Sequence, residues 1–192
     1  KDKYSMSYTL AKAGLPVPKT YVTEMANWAY RAIQDFSEIV YKPIVGALGF
    51  GSMKFVDSDM AFNAFKTLER LGQPLYIQEY LDKPSRDIRV FVIGDNVLAS
   101  IYRIATHGEW KTNVALGGEV KAIKLSDELE KLSLKAVKAV GLLYAGVDMV
   151  ETCNGPVILE VNGSPSWQGL QKATGVNVAE HLVRFAADIV KR

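Results

Sequence analysis

Cysteine is nearly missing from this chain: Cys153 is the only one in 192 residues. A lone thiol excludes an intrachain disulfide and fits a reducing compartment, so the cytoplasm is the expected location. Histidine is almost as scarce. His107 and His181 stand far apart, without the neighbours that a zinc site or a Ser-His or Cys-His pair needs, and are expected in a loop and on a helix surface. No apolar run approaches the ~18 residues of a membrane span, and no signal-peptide pattern is present. The chain opens on Lys1 rather than methionine, so a preceding segment is expected. A dominant charge is also lacking. The 23 Lys and Arg nearly balance 21 Asp and Glu, a net charge of +2, so neither nucleic acid nor a membrane is an expected partner. Internal repeats and low-complexity segments are absent.

What is present is a globular composition, 48% hydrophobic and 23% charged, enough for one large domain or two small lobes. Asp2 caps a first helix that ends near Ala13, before Gly14, Pro16 and Pro18. A strand at Thr20–Thr23, a helix over Met25–Asp35 and a strand at Glu38–Lys42 follow. Strand Ser52–Val56, a helix capped by Asp57 and a strand at Leu75–Leu81 complete this part. Asp87–Ile93 and Val97–Ile104 read as a hairpin around Gly94-Asp95-Asn96. Residues 105–118 have no period and read as a functional loop. The helix from Ser126 to Val140 is expected to bury Leu129, Leu132, Ala136 and Val140, and Val178–Val190 is a closing helix. Residues 1–18 are expected to be a lead-in helix joined to the larger lobe. Residues 19–80 then form a smaller lobe and 81–192 the larger one, with a nucleotide-sized cleft between them.

The stretch from Ala145 to Trp167 carries the most chemistry. It reads as two strands whose apolar alternation is interrupted by Asp148, Glu160 and Asn162. Glu160 and Asn162 share a face at the strand period of two. Acids and an amide on core-grade strands call for a positive partner, and an all-oxygen donor set suits Mg²⁺ or Mn²⁺ beside phosphate oxygens. A two-residue loop at Asn154-Gly155 would oppose Asp148 to Val161 and break the shared site. A three-residue loop, Cys153-Asn154-Gly155 with Gly155 left-handed, pairs Thr152 with Pro156 and Asp148 with Glu160. The metal reading therefore expects an odd loop; the plainer alternative is a hairpin whose acids face water.

A second stretch, Gly46-Ala-Leu-Gly49-Phe-Gly51, lies between two strands, where glycines let backbone amides approach an anion. Lys42, just upstream, reaches toward a phosphate as a point charge. No Gly-Lys-Ser/Thr closes a Walker A loop, no Rossmann pattern fits, and no HRD or DFG supports a protein kinase. A structural hairpin with spare glycines is the alternative.

Taken together, the ordered set Asp2-Lys3, Tyr41-Lys42-Pro43, the glycine loop, Gln78-Glu79-Tyr80-Leu81, Asp87-Ile88-Arg89, Lys111-Thr112-Asn113, Gly146-Val147-Asp148 and Leu159-Glu160-Val161-Asn162 resembles the RimK-like branch of the ATP-grasp superfamily. The likeness runs along essentially the whole chain. It implies an α+β, ATP-grasp fold, with two α/β lobes whose mainly antiparallel sheets clamp a nucleotide. The family normally adds an N-terminal pre-ATP-grasp domain, which this chain lacks.

The resemblance also implies roles. Lys3 and Lys42 hold the nucleotide phosphates, and Gly46, Gly49 and Gly51 belong to a loop that closes over them. Glu79 and Tyr80 offer backbone groups to adenine, and Leu81 packs against it. Asp87 contacts the nucleotide at its ribose; Lys111, Thr112 and Asn113 belong to the nucleotide set. Asp148, Glu160 and Asn162 ligate Mg²⁺ or Mn²⁺, with Glu160 bridging two ions. Arg89, Arg103 and Lys111 act on the acceptor or the phosphoryl group. Arg89 has a plainer alternative in pairing with Asp87, and Arg103 in an exposed edge position.

The implied activity is that of an ATP-dependent carboxylate-amine ligase working through an acylphosphate, with ATP, an amino acid such as L-glutamate and a carboxylate acceptor as partners. Acceptor loops here, Lys111–Gly118 and Ser164–Leu170, are less arginine-rich than in ligases of ribosomal protein. They are similar to those of ligases that glutamylate methanogen cofactors, or that charge an amino-group carrier protein. A ligase acting on a protein C-terminus, a D-alanine ligase type enzyme and a non-catalytic ATP-binding module are the rival readings. Homo-oligomerisation is left open.

Overall fold

A computed structural model describes residues 2–46, 49–106, 109–112 and 118–191. Asn113, His107 and residues 47–48 of the glycine loop lie outside the described residues. Two compact units emerge, one of residues 1–8 with 17–82 and the other of residues 9–16 with 83–192. Helix α1, Lys3–Lys12, contributes to both.

In the first unit, β1 (Thr20–Thr23), β2 (Ile39–Lys42), β3 (Met53–Phe55) and β4 (Leu75–Glu79) form an antiparallel sheet in the order β1-β4-β2-β3. Helices α2 (Ala26–Asp35) and α3 (Ser58–Arg70) complete it. Period-two alternation sends Ile39, Tyr41, Leu75 and Ile77 into one core with Phe65 of α3. Alanines at 26, 29 and 32 keep the buried stripe of α2 thin, so the helix approaches that core closely. Asp57 caps α3 as expected, its carboxylate accepting from the Met60 amide at 2.8 Å. The opposite sheet face carries the even-numbered partners: Lys42 lies across from Tyr76, and Gln78 lies between Val40 and Thr20.

The second unit is built on a five-stranded antiparallel sheet, β7-β6-β5-β8-β9. Its strands are β5 (Arg86–Ile93), β6 (Asn96–Ile104), β7 (Glu119–Ala122), β8 (Tyr144–Thr152) and β9 (Gly155–Asn162). One face meets α4 (Asp127–Ala139), where the buried Ser133 hydroxyl lies 3.8 Å from Met149 Sδ. The deepest residues of α4 are Ser133, Ala136 and Val137, a stripe shifted from the expected one because a polar Ser133 can be buried by donating to the Leu129 carbonyl at 2.7 Å. The other face is apolar at one end, where Phe91, Ile93 and Ile101 pack with Leu170 of α5 (Gln168–Thr174) and Val178 of α6 (Val178–Val190). Trp167 stands edge-on to Phe91 there, 6.3 Å between centroids. Two residues further along β5, the same face turns charged at Arg89 and Asp87.

The sequence reading misses two elements. β7 reads EVKA and is mostly exposed, an edge strand without an apolar run. α5 has seven residues, an internal glycine and no side-chain cap.

Candidate active site

The charged end of the second sheet is assembled by register. Arg89 of β5 lies across from Asp148 of β8, and Asp148 across from Glu160 of β9. One step along, Asp87 lies across from Arg103 of β6. Residues directly opposite share a face, so these five side chains project to the same side. Arg103 donates through Nε and Nη2 to the two Asp87 oxygens, both at 2.7 Å, and its Nη2 lies 3.2 Å from Asp148 Oδ2. Arg89 donates through Nε to Asp148 Oδ1 and through Nη2 to Oδ2 at 2.8 Å. The Thr112 hydroxyl donates to Asp87, and Asn162 Nδ2 approaches Asp148 Oδ2 at 3.5 Å. Thus Arg89 pairs with Asp148 rather than Asp87. Arg103 is 7% exposed, which rules out the edge position.

The odd hairpin loop is contradicted. Thr152 opposes Gly155 across a two-residue loop, Cys153-Asn154, held by the Thr152 hydroxyl, which donates to the Gly155 carbonyl at 2.8 Å. Continued without a break, that register would set Asp148 opposite Leu159. Instead it shifts between Met149, opposite Ile158, and Asp148, opposite Glu160. Leu159 is the extra residue of a β-bulge, and the bulge restores the parity that the loop does not supply.

Burial works to raise the Asp148 carboxyl's pKa, but Arg103 and Arg89 outweigh it and hold it below its ordinary 3.8. For Arg103 burial works downward, and Asp148 and Asp87 outweigh it to raise the guanidinium. A depressed carboxyl stabilises the fold above its ordinary pKa and loses that contribution as pH falls through the folded value. The urea midpoint is therefore expected to drop as pH falls below 3.8, and Asp148→Asn is expected to flatten this acid limb. An unchanged limb in the Asn variant would contradict the assignment.

Glu160 differs from its neighbours. It is half-buried and, among the described residues, makes no hydrogen bond or ion pair. No group of three or more His, Cys, Asp or Glu converges among the described residues; the candidate set is two carboxylates and an amide. These donors fit Mg²⁺, an oxygen-seeking ion that keeps water and phosphate oxygens in its shell. Glu160 and the Asn162 carbonyl are available, whereas the Asp148 oxygens are shared with two guanidinium groups. Lys83, which the sequence reading passes over, adds a third cation. Burial lowers its pKa, with Asp87 raising it and Arg103 lowering it further, and its Nζ lies 3.4 Å from both the Pro84 and Arg86 carbonyls. Gly146 matters by lacking a side chain, since a Cβ there would stand 2.7 Å from Pro165 Cβ and 3.3 Å from Arg89 Cδ.

In the first unit, Lys42 Nζ donates to Gln78 Oε1 at 2.6 Å, and Lys3 Nζ to the Gly46 carbonyl at 3.4 Å. Gly49 and Gly51 adopt positive φ, and a Cβ on Gly51 would meet Pro43 Cγ at 2.8 Å. The Glu79 and Tyr80 amides already donate to the Lys19 and Glu38 carbonyls, at 3.0 and 2.9 Å. The Glu79 carboxylate accepts from the Lys19 amide at 2.8 Å, and Lys54 sits 3.5 Å from the Tyr80 ring centre. Leu81 is half-buried. Lys111 lies 5.2 Å from the Trp110 ring centre, apart from the Asp87 bonds that Thr112 joins.

The family model of the RimK-like ATP-grasp domain matches residues 1–186. A tetrahydromethanopterin:alpha-L-glutamate ligase of Methanocaldococcus jannaschii is 42% identical over 197 aligned positions, covering 99% of this chain and 67% of that protein. The alpha-aminoadipate–LysW ligase LysX of Saccharolobus solfataricus is 33% identical, covering 100% of this chain and 72% of its own length. The solved structure of the ATP-grasp ligase PsnB with minimal precursor, Mg and ADP superposes with a TM-score of 0.76 at 27% identity, over 100% of this chain and 59% of that one. The chain thus spans only part of each of these proteins. No described helix is long and apolar enough to cross a membrane.

Proposed function

We propose a function from one premise: the chain belongs to the RimK-like ATP-grasp family. It is the ATP-dependent ligase module of an enzyme that joins L-glutamate to the carboxylate of a small-molecule cofactor, working in the cytoplasm where ATP is regenerated. The observation that carries this reading is the continuous charged face Arg103–Asp87–Arg89–Asp148–Glu160 on one sheet. Likeness to the glutamate ligase of M. jannaschii supports glutamate as the amine donor and a cofactor as the acceptor.

Chemically, an acceptor carboxylate oxygen attacks the γ-phosphorus of ATP, the bond to the β-phosphate oxygen breaks, and ADP leaves. The amino nitrogen of glutamate then attacks the carbonyl carbon of the acylphosphate. The C–N bond forms, the C–O bond to phosphate breaks, and the amine gives up a proton. Mg²⁺, held by Glu160, Asn162 and Asp148, neutralises charge on the phosphoryl oxygens when bound; we assign two ions with Glu160 shared. Lys42 and Lys3 supply positive charge to the phosphates, and the glycine loop covers them. Asp87 serves the nucleotide by fixing Thr112 and Arg103, with Lys111, Asn113 and the Glu79–Leu81 strand end completing its site. Arg89 and Arg103 present guanidinium donors to the acceptor carboxylate and the transferring phosphoryl group. Incubation with MgATP, L-glutamate and candidate cofactor acids, followed by mass spectrometry, is expected to give a glutamyl amide and ADP. A product on a carrier protein alone would move the acceptor to the second class of relative. No turnover with any acceptor would leave a binding module.

A further inference from the structure

Four buried or half-buried side chains behind Lys42 form a hydrogen-bonded line. Lys42 donates to Gln78 Oε1 at 2.6 Å. Gln78 Nε2 donates to the Tyr76 hydroxyl at 2.8 Å and to Thr20 Oγ1 at 3.2 Å. The Tyr76 hydroxyl in turn lies 2.5 Å from Ser7 Oγ. Gln78 is 2% exposed, Tyr76 1% and Ser7 6%, on strands otherwise suited to a core. Backbone register sets the spacing, since Gln78 lies across from Thr20 on one neighbour and Val40 on the other, with Tyr76 across from Lys42.

The chemistry of an amide fixes the direction of this line. Nε2 has two hydrogens, and both are used, on Tyr76 and Thr20. Only Oε1 remains for Lys42, and an ammonium can only donate. Flipping the amide would set its NH₂ against the ammonium and leave the carbonyl oxygen facing two hydroxyls. Hydroxyls can turn to suit, but the ammonium cannot. The buried amide therefore has one favourable orientation, which aims a neutral acceptor at the amine.

We propose that Gln78 is a positioning residue for Lys42, holding its amine in place through a neutral oxygen so that its full charge is kept for phosphate. This rests on the assignment of Lys42 to the nucleotide phosphates. A carboxylate in the same place would hold the amine equally well but would neutralise it. A side chain of similar length without an acceptor would leave it unanchored. Ser7, Tyr76 and Thr20 act one step further back, by fixing the amide.

Calorimetric titration of the whole chain with MgADP tests this, with melting temperature as a folding control. Lys42→Ala is expected to weaken binding at least tenfold. Gln78→Met is expected to weaken it severalfold, and the double variant no more than Lys42→Ala alone, because Gln78 acts through that amine. Gln78→Glu lets the Tyr76 and Thr20 hydroxyls turn to donate, so it keeps the packing if the Met variant does not fold. Its weakened binding is expected to recover as pH falls and the introduced carboxylate is protonated, a profile a merely structural role would not produce. Additive losses in the double variant, or normal binding by both Gln78 variants beside a weakened Lys42→Ala, would overturn the positioning role alone. Normal binding by Lys42→Ala would overturn the phosphate assignment and this role with it.

Discussion

Glu160→Gln is expected to reduce amide formation by at least ~100-fold, the scale on which removing a comparable electrostatic stabiliser acts, while the melting temperature holds or rises. Both halves follow from how the hairpin distributes its acids. Asp148 is 6% exposed and bound by two guanidinium groups, so its charge is consumed by the fold. Glu160 lies directly across from it, half-buried, with no hydrogen bond or ion pair among the described residues. Its charge is thus unneutralised without metal, and removing it relieves repulsion with Asp148. Glutamine keeps the shape and one carbonyl oxygen but weakens the hold on Mg²⁺. Turnover is followed as ADP release with glutamate and the acceptor that product analysis identifies. A lowered melting temperature with turnover intact in the folded fraction would make Glu160 structural instead.

The second large effect is on stability. Arg103→Met removes the one cation that bridges Asp87 and Asp148. Asp148 retains Arg89, but Asp87 keeps only the Thr112 hydroxyl among the contacts seen here. Breaking a buried pair from one side leaves an uncompensated charge, and the loss is expected at about 3–5 kcal/mol. Arg103→Lys is expected to recover only part of it, because an ammonium cannot reproduce the two-pronged contact with Asp87. Adding Asp87→Asn to Arg103→Met removes the stranded charge, so the double variant is expected to be more stable than the single one. Urea unfolding read as a change in midpoint at constant slope gives these values. A shift below ~1 kcal/mol for Arg103→Met would place the pair among weak surface bridges.

The two sheets were legible wherever strand period and turn residues agreed. Thr20–Thr23 and Val178–Val190 match to the residue, and most other elements match within two. β7 and α5 were not, since neither carries an apolar pattern long enough to register. The hairpin of Asp148 and Glu160 is more instructive. Their juxtaposition was readable from the interrupted alternation, but the device that produces it was not: the expected odd loop is an even one, and a bulge at Leu159 supplies the missing residue. Side-chain partners were hardest of all. Arg89 and Asp87 are two residues apart and seem a natural pair in sequence. Cross-strand neighbours lie closer than i, i+2 neighbours on one strand, and each found its partner on another strand. Gln78 was visible only as part of a motif, although a glutamine at 78 two residues after a tyrosine, on an apolar strand, bears the same mark as Glu160 and Asn162. Buried polar groups at period two call for partners in either lobe.

Isotope tracing through the carboxylate tests the central claim most directly. The acceptor acid is labelled with ¹⁸O in the reacting carboxylate and turned over with MgATP and L-glutamate by the enzyme that contains this chain. Transfer of the γ-phosphoryl group to that carboxylate predicts that a single labelled oxygen leaves in inorganic phosphate and the other stays in the new amide. Labelled AMP, or phosphate free of label beside a normal yield of amide, would contradict an acylphosphate made at this site.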